Sequence, residues 1–277
     1  MKNTMLILLF AVCCFLFLFP SNISAHELFI QVEENETEQE LRVDVLWGHL
    51  RDFLDEANHD QYELFVRYPN GDTDQLSIES IGVHAVSYVP ITEEGAYTFW
   101  AVRKPSTYTP DSGITQLSNQ MAKAIHYIGE NSSNSNQPID LNLEIVPAGD
   151  TSNFTTGNFE SIILLDGVEV SDATVTAYGP EGEILEGASD QNGRIELNLD
   201  SSGEWLLKAN VRTEETGMLE DEEYEVISQT STLLIDTSET NEASSTNIWT
   251  LAAMFFIGLF IGAAIILLTV KRKSRAI

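Results

Sequence analysis

From residue 40 to residue 211 apolar and polar side chains alternate with a period of two almost throughout. That pattern is the mark of half-buried β-strands and leaves little room for helix. Leu41, Val43, Val45 and Trp47 share one side, with Arg42 and Asp44 on the other. Tyr62, Leu64, Val66 and Tyr68 repeat the pattern, and Pro69-Asn70-Gly71-Asp72 supplies a hairpin turn after them. Gly95–Trp100 and Ile139-Leu141-Leu143-Ile145 read as further strands. Only Ile114–Ile128 has apolar residues spaced by three and four, so it reads as a short helix or an irregular crossover. Pro147-Ala148-Gly149-Asp150 looks like a boundary. Beyond it, Ser161–Leu165, Ala173-Val175-Ala177, Ile195-Leu197-Leu199 and Trp205-Leu207-Ala209-Val211 form a second set of strands. Gly179-Pro180-Glu181-Gly182, Asp190-Gln191-Asn192-Gly193 and Ser202-Gly203 punctuate that set.

The ends of the chain carry different signals. Residues 4–19 are uncharged and follow Lys2, and a short polar stretch then runs to Ala25. This is the layout of a signal peptide, residues 1–25, cleaved after Ala25. Residues 248–270 are also uncharged, about 34 Å long as a helix, and read as a transmembrane segment. Lys271, Arg272, Lys273 and Arg275 follow at once and place a tail, residues 271–277, in the cytoplasm. Residues 237–247 (TSETNEASSTN) have no pattern and read as a linker.

The expected protein is therefore all-β. It has an N-terminal β domain over 26–148, a β-sandwich over 149–236, both Ig-like or prealbumin-like, and one C-terminal transmembrane helix. It sits in a bacterial cell membrane, with a single pass and the ectodomain outside. All 43 acidic residues fall in 26–246 against nine basic ones, a net charge of −34 there. Such a field repels nucleic acid and gathers cations. Both cysteines, Cys13 and Cys14, lie inside the expected signal peptide, so the mature chain carries no disulfide, thiolate ligand or thiol nucleophile.

The chain has no Gly-rich phosphate loop, no Gly-x-Ser-x-Gly and no His-Glu-x-x-His, and we expect no enzymatic role. The histidines point elsewhere. Cleavage after Ala25 would make His26 the first residue, whose α-amine and Nδ1 can close a chelate ring on one ion. An α-amine ordinarily titrates at about 7.7–8.0 and gives up its proton far more readily than a lysine. His49 follows Gly48 at a strand end, free to project. His84 and His126 are further candidate ligands, and His59 sits in an acidic loop. With cysteine absent and methionine scarce, a borderline divalent ion on imidazole and carboxylate suits the chain better than Cu(I). Gly258 and Gly262 make a G-x-x-x-G step in the expected span, a packing face for another helix or a second copy as a homodimer.

A mature chain opening on His26, followed by a strand ending in Gly48-His49, resembles the NikM-type nickel/cobalt-transport accessory family of extracytoplasmic bacterial proteins. The resemblance runs on through Tyr108–Tyr127, Leu143-Glu144-Ile145-Val146-Pro147 and Leu164-Leu165-Asp166-Gly167-Val168-Glu169-Val170. It continues in Ala173-Thr174-Val175, Asp190-Gln191-Asn192-Gly193 and Ser202-Gly203-Glu204-Trp205. The second half alone is similar to carboxypeptidase-regulatory-like sandwiches. The resemblance implies capture of Ni²⁺ or Co²⁺ and its delivery to the membrane subunits of an energy-coupling-factor importer. Of the candidate ligands, His26 and His49 match the family pattern. Cu and Zn also suit imidazole, and a copper-handling protein with an N-terminal His site is one rival. The other is a metal-free surface sandwich for adhesion, carbohydrate or protein binding, in which Trp100 or Tyr108 would matter and the histidines would not.

Overall fold

The computed structural model describes residues 26–51, 53–110, 112–129 and 134–238, and these are almost entirely β. The first part supplies β1 (Glu27–Asn35), β2 (Glu40–Gly48), β3 (Leu54–Asp55), β4 (Tyr62–Arg67), β5 (Thr73–Leu76) and β6 (Glu79–Ile81). It continues with β7 (His84–Pro90), β8 (Gly95–Arg103), β9 (Ser106–Tyr108), β10 (Gln116–Ile128) and β11 (Leu143–Pro147). The second part supplies β12 (Gly157–Leu165), β13 (Val168–Glu169), β14 (Thr174–Tyr178) and β15 (Ile184–Ala188). It ends with β16 (Arg194–Leu199), β17 (Glu204–Leu219) and β18 (Glu222–Asp236). One 3-10 turn, His59–Gln61, interrupts them.

Three sheets result. A central sheet of nine strands runs β15-β14-β17-β18-β10-β8-β4-β5, with β9 added to β10. A five-stranded sheet runs β1-β2-β7-β6 with β3 on β2, and a four-stranded sheet runs β11-β12-β13 with β16 on β12. Burial along β10 shows how they stack. Ala122 and Ala124 pack with Leu28, Val43 and Val89 of the five-stranded sheet. Met121, which points the opposite way, packs with Leu143, Phe159 and Leu197 of the four-stranded sheet. The two smaller sheets therefore cover opposite faces of the central one, each burying an apolar core against it.

Lys123 shares the Met121 side of β10, and its Nζ donates to Glu144 Oε1 on β11 at 2.7 Å. Both side chains are 1% exposed. Glu144 also accepts from the Ile139 backbone N–H, at 3.0 and 3.2 Å to its two oxygens. Burial pulls the Lys123 pKa below the usual lysine value, against the opposing pull of Glu144.

Most strands read from the sequence recur here. The exception is 114–128, where the expected short helix or crossover is the strand β10. It pairs antiparallel with β8 and parallel with β18. Because both of its faces are covered, apolar residues stand on both sides and the period of two is erased, as in strands buried on both faces. Of the run Ile139–Ile145, only Leu143 onward is strand; Ile139 donates its N–H to the Glu144 carboxylate, and the segment ahead of it is held by Arg67, whose guanidinium donates to the carbonyls of Asn134, Gln137 and Pro138. The central sheet crosses the expected boundary at 148/149, since β10 pairs with β18. Thr237, the first residue of the expected linker, is fully buried, and its hydroxyl donates to the carbonyls of Ser201 and Gly203; residues 239–247 of that linker lie outside the described residues.

Among the described residues no helix is long and apolar enough to cross a membrane. The expected signal peptide, the transmembrane segment with Gly258 and Gly262, and the cytoplasmic tail lie outside the described residues.

Candidate functional site

The start of β1 lies beside the end of β2, with Glu27 opposite Gly48 and Leu28 opposite Trp47. On the other side of β2, Asp55 of β3 stands opposite Trp47. This double pairing collects residues 26, 27, 49 and 55 at one sheet corner. Gly48 makes the corner possible. Its φ is +148°, and a Cβ there would sit 2.4 Å from the Phe53 carbonyl oxygen and 2.8 Å from Leu54 Cα. The chain turns through it and closes with His49 N–H donating to Phe53 O at 3.0 Å.

The two imidazoles expected as ligands meet there. His26 and His49 stack with ring centroids 5.2 Å apart, and His26 also stacks on Trp47 at 5.7 Å. Each holds a carboxylate on one nitrogen. His26 Nε2 lies 2.9 Å from Asp55 Oδ2, a contact without hydrogen-bond alignment. His49 Nδ1 is 3.1 Å from Glu27 Oε2. Glu27 is 2% exposed, and its other oxygen accepts from Lys208 Nζ on β17 at 2.9 Å. Lys208 also donates to the Tyr178 hydroxyl at 2.8 Å. Burial alone would lower the Lys208 pKa. Glu27 and the Tyr178 hydroxyl outweigh it and hold the ammonium above the usual lysine range.

His84 and His126 stand elsewhere. His84 Nδ1 bonds Asp44 Oδ1 at 2.6 Å, and Asp44 is already gripped by both nitrogens of an Arg42 fork at 2.8 Å. His126 faces Tyr97 across the β8–β10 pairing, with its Nε2 buried and unpartnered, and burial lowers its pKa. His59 bonds Ser80 Oγ at 2.8 Å. Among the described residues no three His, Cys, Asp or Glu side chains gather where they could hold an ion.

A cavity of about 510 Å³ opens next to His26 and Trp47. It lies on the face of the central sheet that the five-stranded sheet covers farther along. Leu206 and Leu234 of that face still pack beneath Phe29 and Leu46. Past them the cover ends and the face turns polar. One row across four strands reads Thr174, Asn210, Thr230 and Gln120; the next reads Arg212, Ser228, Ser118 and Ser106. All eight line the cavity. Lys208 and Arg103 complete its wall, and Tyr108, half-exposed, stands at its rim.

Sequence reasoning did not find this face, although β17 carries a signal. Lys208, Asn210 and Arg212 alternate with Leu207, Ala209 and Val211 and put two cations on the wet side of one strand in an acidic protein. Glu27 and Asp55 were also missed. Their neighbours come from strand pairing and, for Lys208, from 181 residues away.

No protein with a curated description matches the chain. Among solved structures it is similar to a Ca²⁺-stabilized adhesin that helps an Antarctic bacterium reach out and bind ice. The identity is 12% and the TM-score 0.22, over 76% of this chain and 48% of that one. It is also similar to the BSP domain of a biofilm-associated protein, with 9% identity and a TM-score of 0.21, over 78% of this chain and 52% of that one. The chain thus spans about half the length of each. The sequence profile of one family matches residues 23–213, well over half the chain and the whole stretch from His26 to Arg212 that builds the corner and most of the cavity wall. On that match the chain belongs to the family described as Domain of unknown function (DUF4198).

Proposed function

We propose that this protein is a membrane-anchored, extracytoplasmic metal-binding accessory that captures a divalent transition ion at the β1–β2 corner and passes it to a membrane importer. Ni²⁺ or Co²⁺ is the cargo that the resemblance to NikM-type proteins implies. The observation that carries the reading is the arrangement of carboxylates around the two imidazoles. Ligating histidines commonly hold a carboxylate on the ring nitrogen that does not bind metal. Asp55 stands at Nε2 of His26 and leaves Nδ1, the nitrogen able to chelate together with the residue's own amine. Glu27 stands at Nδ1 of His49 and leaves Nε2.

Side chains alone do not complete a site here, and cleavage after Ala25 supplies the missing donor as the His26 α-amine. An amine and two imidazole nitrogens, the imidazoles with carboxylates behind them, suit Ni²⁺, Co²⁺, Cu²⁺ or Zn²⁺, and release needs only ligand exchange. The span expected at 248–270, with Gly258 and Gly262, is the contact offered to importer subunits or to a second copy.

Calorimetric titration of Ni²⁺ into the mature protein beginning at His26, beside a copy carrying one extra Ala before it, tests the reading. One-to-one binding that is lost in the extended copy supports it. Equal binding by both copies, or saturable binding by neither, overturns it.

A further inference from the structure

We propose that the cavity beside this corner binds a small hydroxylated carboxylate, a sugar acid or a hydroxy acid of similar size. The first observation is charge. Only nine basic residues stand among the 43 acids of 26–246, yet Arg103, Lys208 and Arg212 converge on this one cavity. No Asp or Glu is among its described lining residues. Elsewhere Arg42 is spent on Asp44, and Lys123 on Glu144. Neither Arg103 nor Arg212 forms an ion pair with any described residue. Of the carboxylates around the cavity, Glu27 holds Lys208 and His49, and Glu222 accepts from the Thr107 hydroxyl, while Glu186 and Glu214 stand on the same sheet face beside Thr176 and Arg212, both exposed and outside the lining.

The second observation is the chemistry of the floor. Apart from Arg212, the two rows present hydroxyls and side-chain amides, groups that both donate and accept, on a sheet whose backbone is already paired. Some of these groups already bond one another, Asn210 to Ser228 and Thr230 and Gln120 to Ser118, and a ligand rich in hydroxyls can use the donor and acceptor capacity that remains, which an apolar one would leave unused. Three buried atoms on lining side chains make no hydrogen bond among the described residues: His26 Nε2, which belongs to the corner, Arg103 Nε, a donor, and Gln120 Oε1, an acceptor. Arg103 is pre-set for an anion, lying 4.6 Å over the Trp47 ring with Nη1 donating to Ser106 at 3.1 Å. A guanidinium fixed in this way meets a carboxylate with two parallel hydrogen bonds. The corner and the cavity share His26 and Trp47, but the groups offered to this ligand are Arg103, Arg212 and the polar floor, so it does not depend on the ion proposed for the corner. The volume lies within the range that holds small organic ligands.

The test is a calorimetric titration of the full-length protein in EDTA. The titrants are D-glucuronate and D-galacturonate, citrate, D-glucose and inorganic phosphate. We expect saturable one-to-one binding of a sugar acid or of citrate, about tenfold or more tighter than glucose or phosphate, and the tighter of the two acids names the source. Arg212→Gln alters an exposed side chain, and Thr176→Val keeps its shape at a lining hydroxyl on β14. Each should weaken binding about fivefold or more at an unchanged melting temperature. Glucose binding as well as glucuronate, phosphate binding best, no saturable binding of any titrant, or both variants binding as the parent would each overturn the proposal.

Discussion

Gly48 and His126 are the two residues whose surroundings demand most of them. At Gly48 the backbone adopts a φ that side chains resist, and the space for a Cβ is filled by the Phe53 carbonyl. Gly48→Ala should therefore lower stability by about 2 kcal/mol or more and displace His49, measurable by denaturant titration and by the loss of any ligand effect at the corner. His126 is the opposite case, comfortable only when neutral. Burial lowers its pKa in the folded protein, while the unfolded chain takes up a proton at about 6.5. Between those two values the unfolded state binds more protons, so stability falls as pH drops below about 6.5. The fall from this residue ends once the folded pKa is passed. Between pH 7.5 and pH 4.5 the melting temperature of the parent minus that of His126→Gln should fall as pH drops, because the variant lacks this loss.

Among the elements, β10 decides the architecture. It holds β8 on one side and β18 on the other, and it carries Lys123 into the interface with β11. Removing one member of a buried pair strands the other charge, so Lys123→Ala should cost about 3–5 kcal/mol. The double change Lys123→Met with Glu144→Leu should recover most of it, read by chemical denaturation. The same strand shows why part of the fold was legible and part was not. In β16 one face is buried and the other exposed, and in β2, β4 and β17 the second face is mostly polar despite the covered Leu46, Phe65 and Leu206, so the period of two stays plain in the residues. In β10 both faces are covered and the period vanishes. In β18 the buried side includes Ser231 while the opposite side, Ser228 and Thr230, faces the cavity, so polar residues stand on both sides. The candidate site divides in the same way. His26 and His49 are visible as residue types in a sparse inventory. Glu27, Asp55 and Lys208 become their neighbours only through strand register and a contact across most of the chain, and no local pattern encodes that.

For the whole molecule two forces matter, the shared sheet and the charge. Since β10 borrows β18 as a neighbour and the four-stranded sheet buries its core against both parts, a chain ending at residue 148 should fail to fold. Its amide signals should collapse into the unfolded range while the chain to 238 stays dispersed. The formal charge of −29 acts on every state of the chain but is most concentrated when the chain is compact. Salt shortens the reach of that repulsion to about 8–10 Å near physiological strength, so the melting temperature should rise between 10 mM and 500 mM NaCl. A flat response would mean that the acids are spaced widely enough to ignore one another.

The last strand of the described chain, β18, lies between two neighbours, parallel to β10 and antiparallel to β17. Its hydrogen bonds run sideways to its length. A load applied at residue 238 and resisted at the sheet face therefore pulls along the strand, and both ladders must slide together before any bond can part singly. Tension from that end meets the sheet in shear, the direction in which paired strands resist longest, and β18 is a mechanical anchor as well as a piece of the fold.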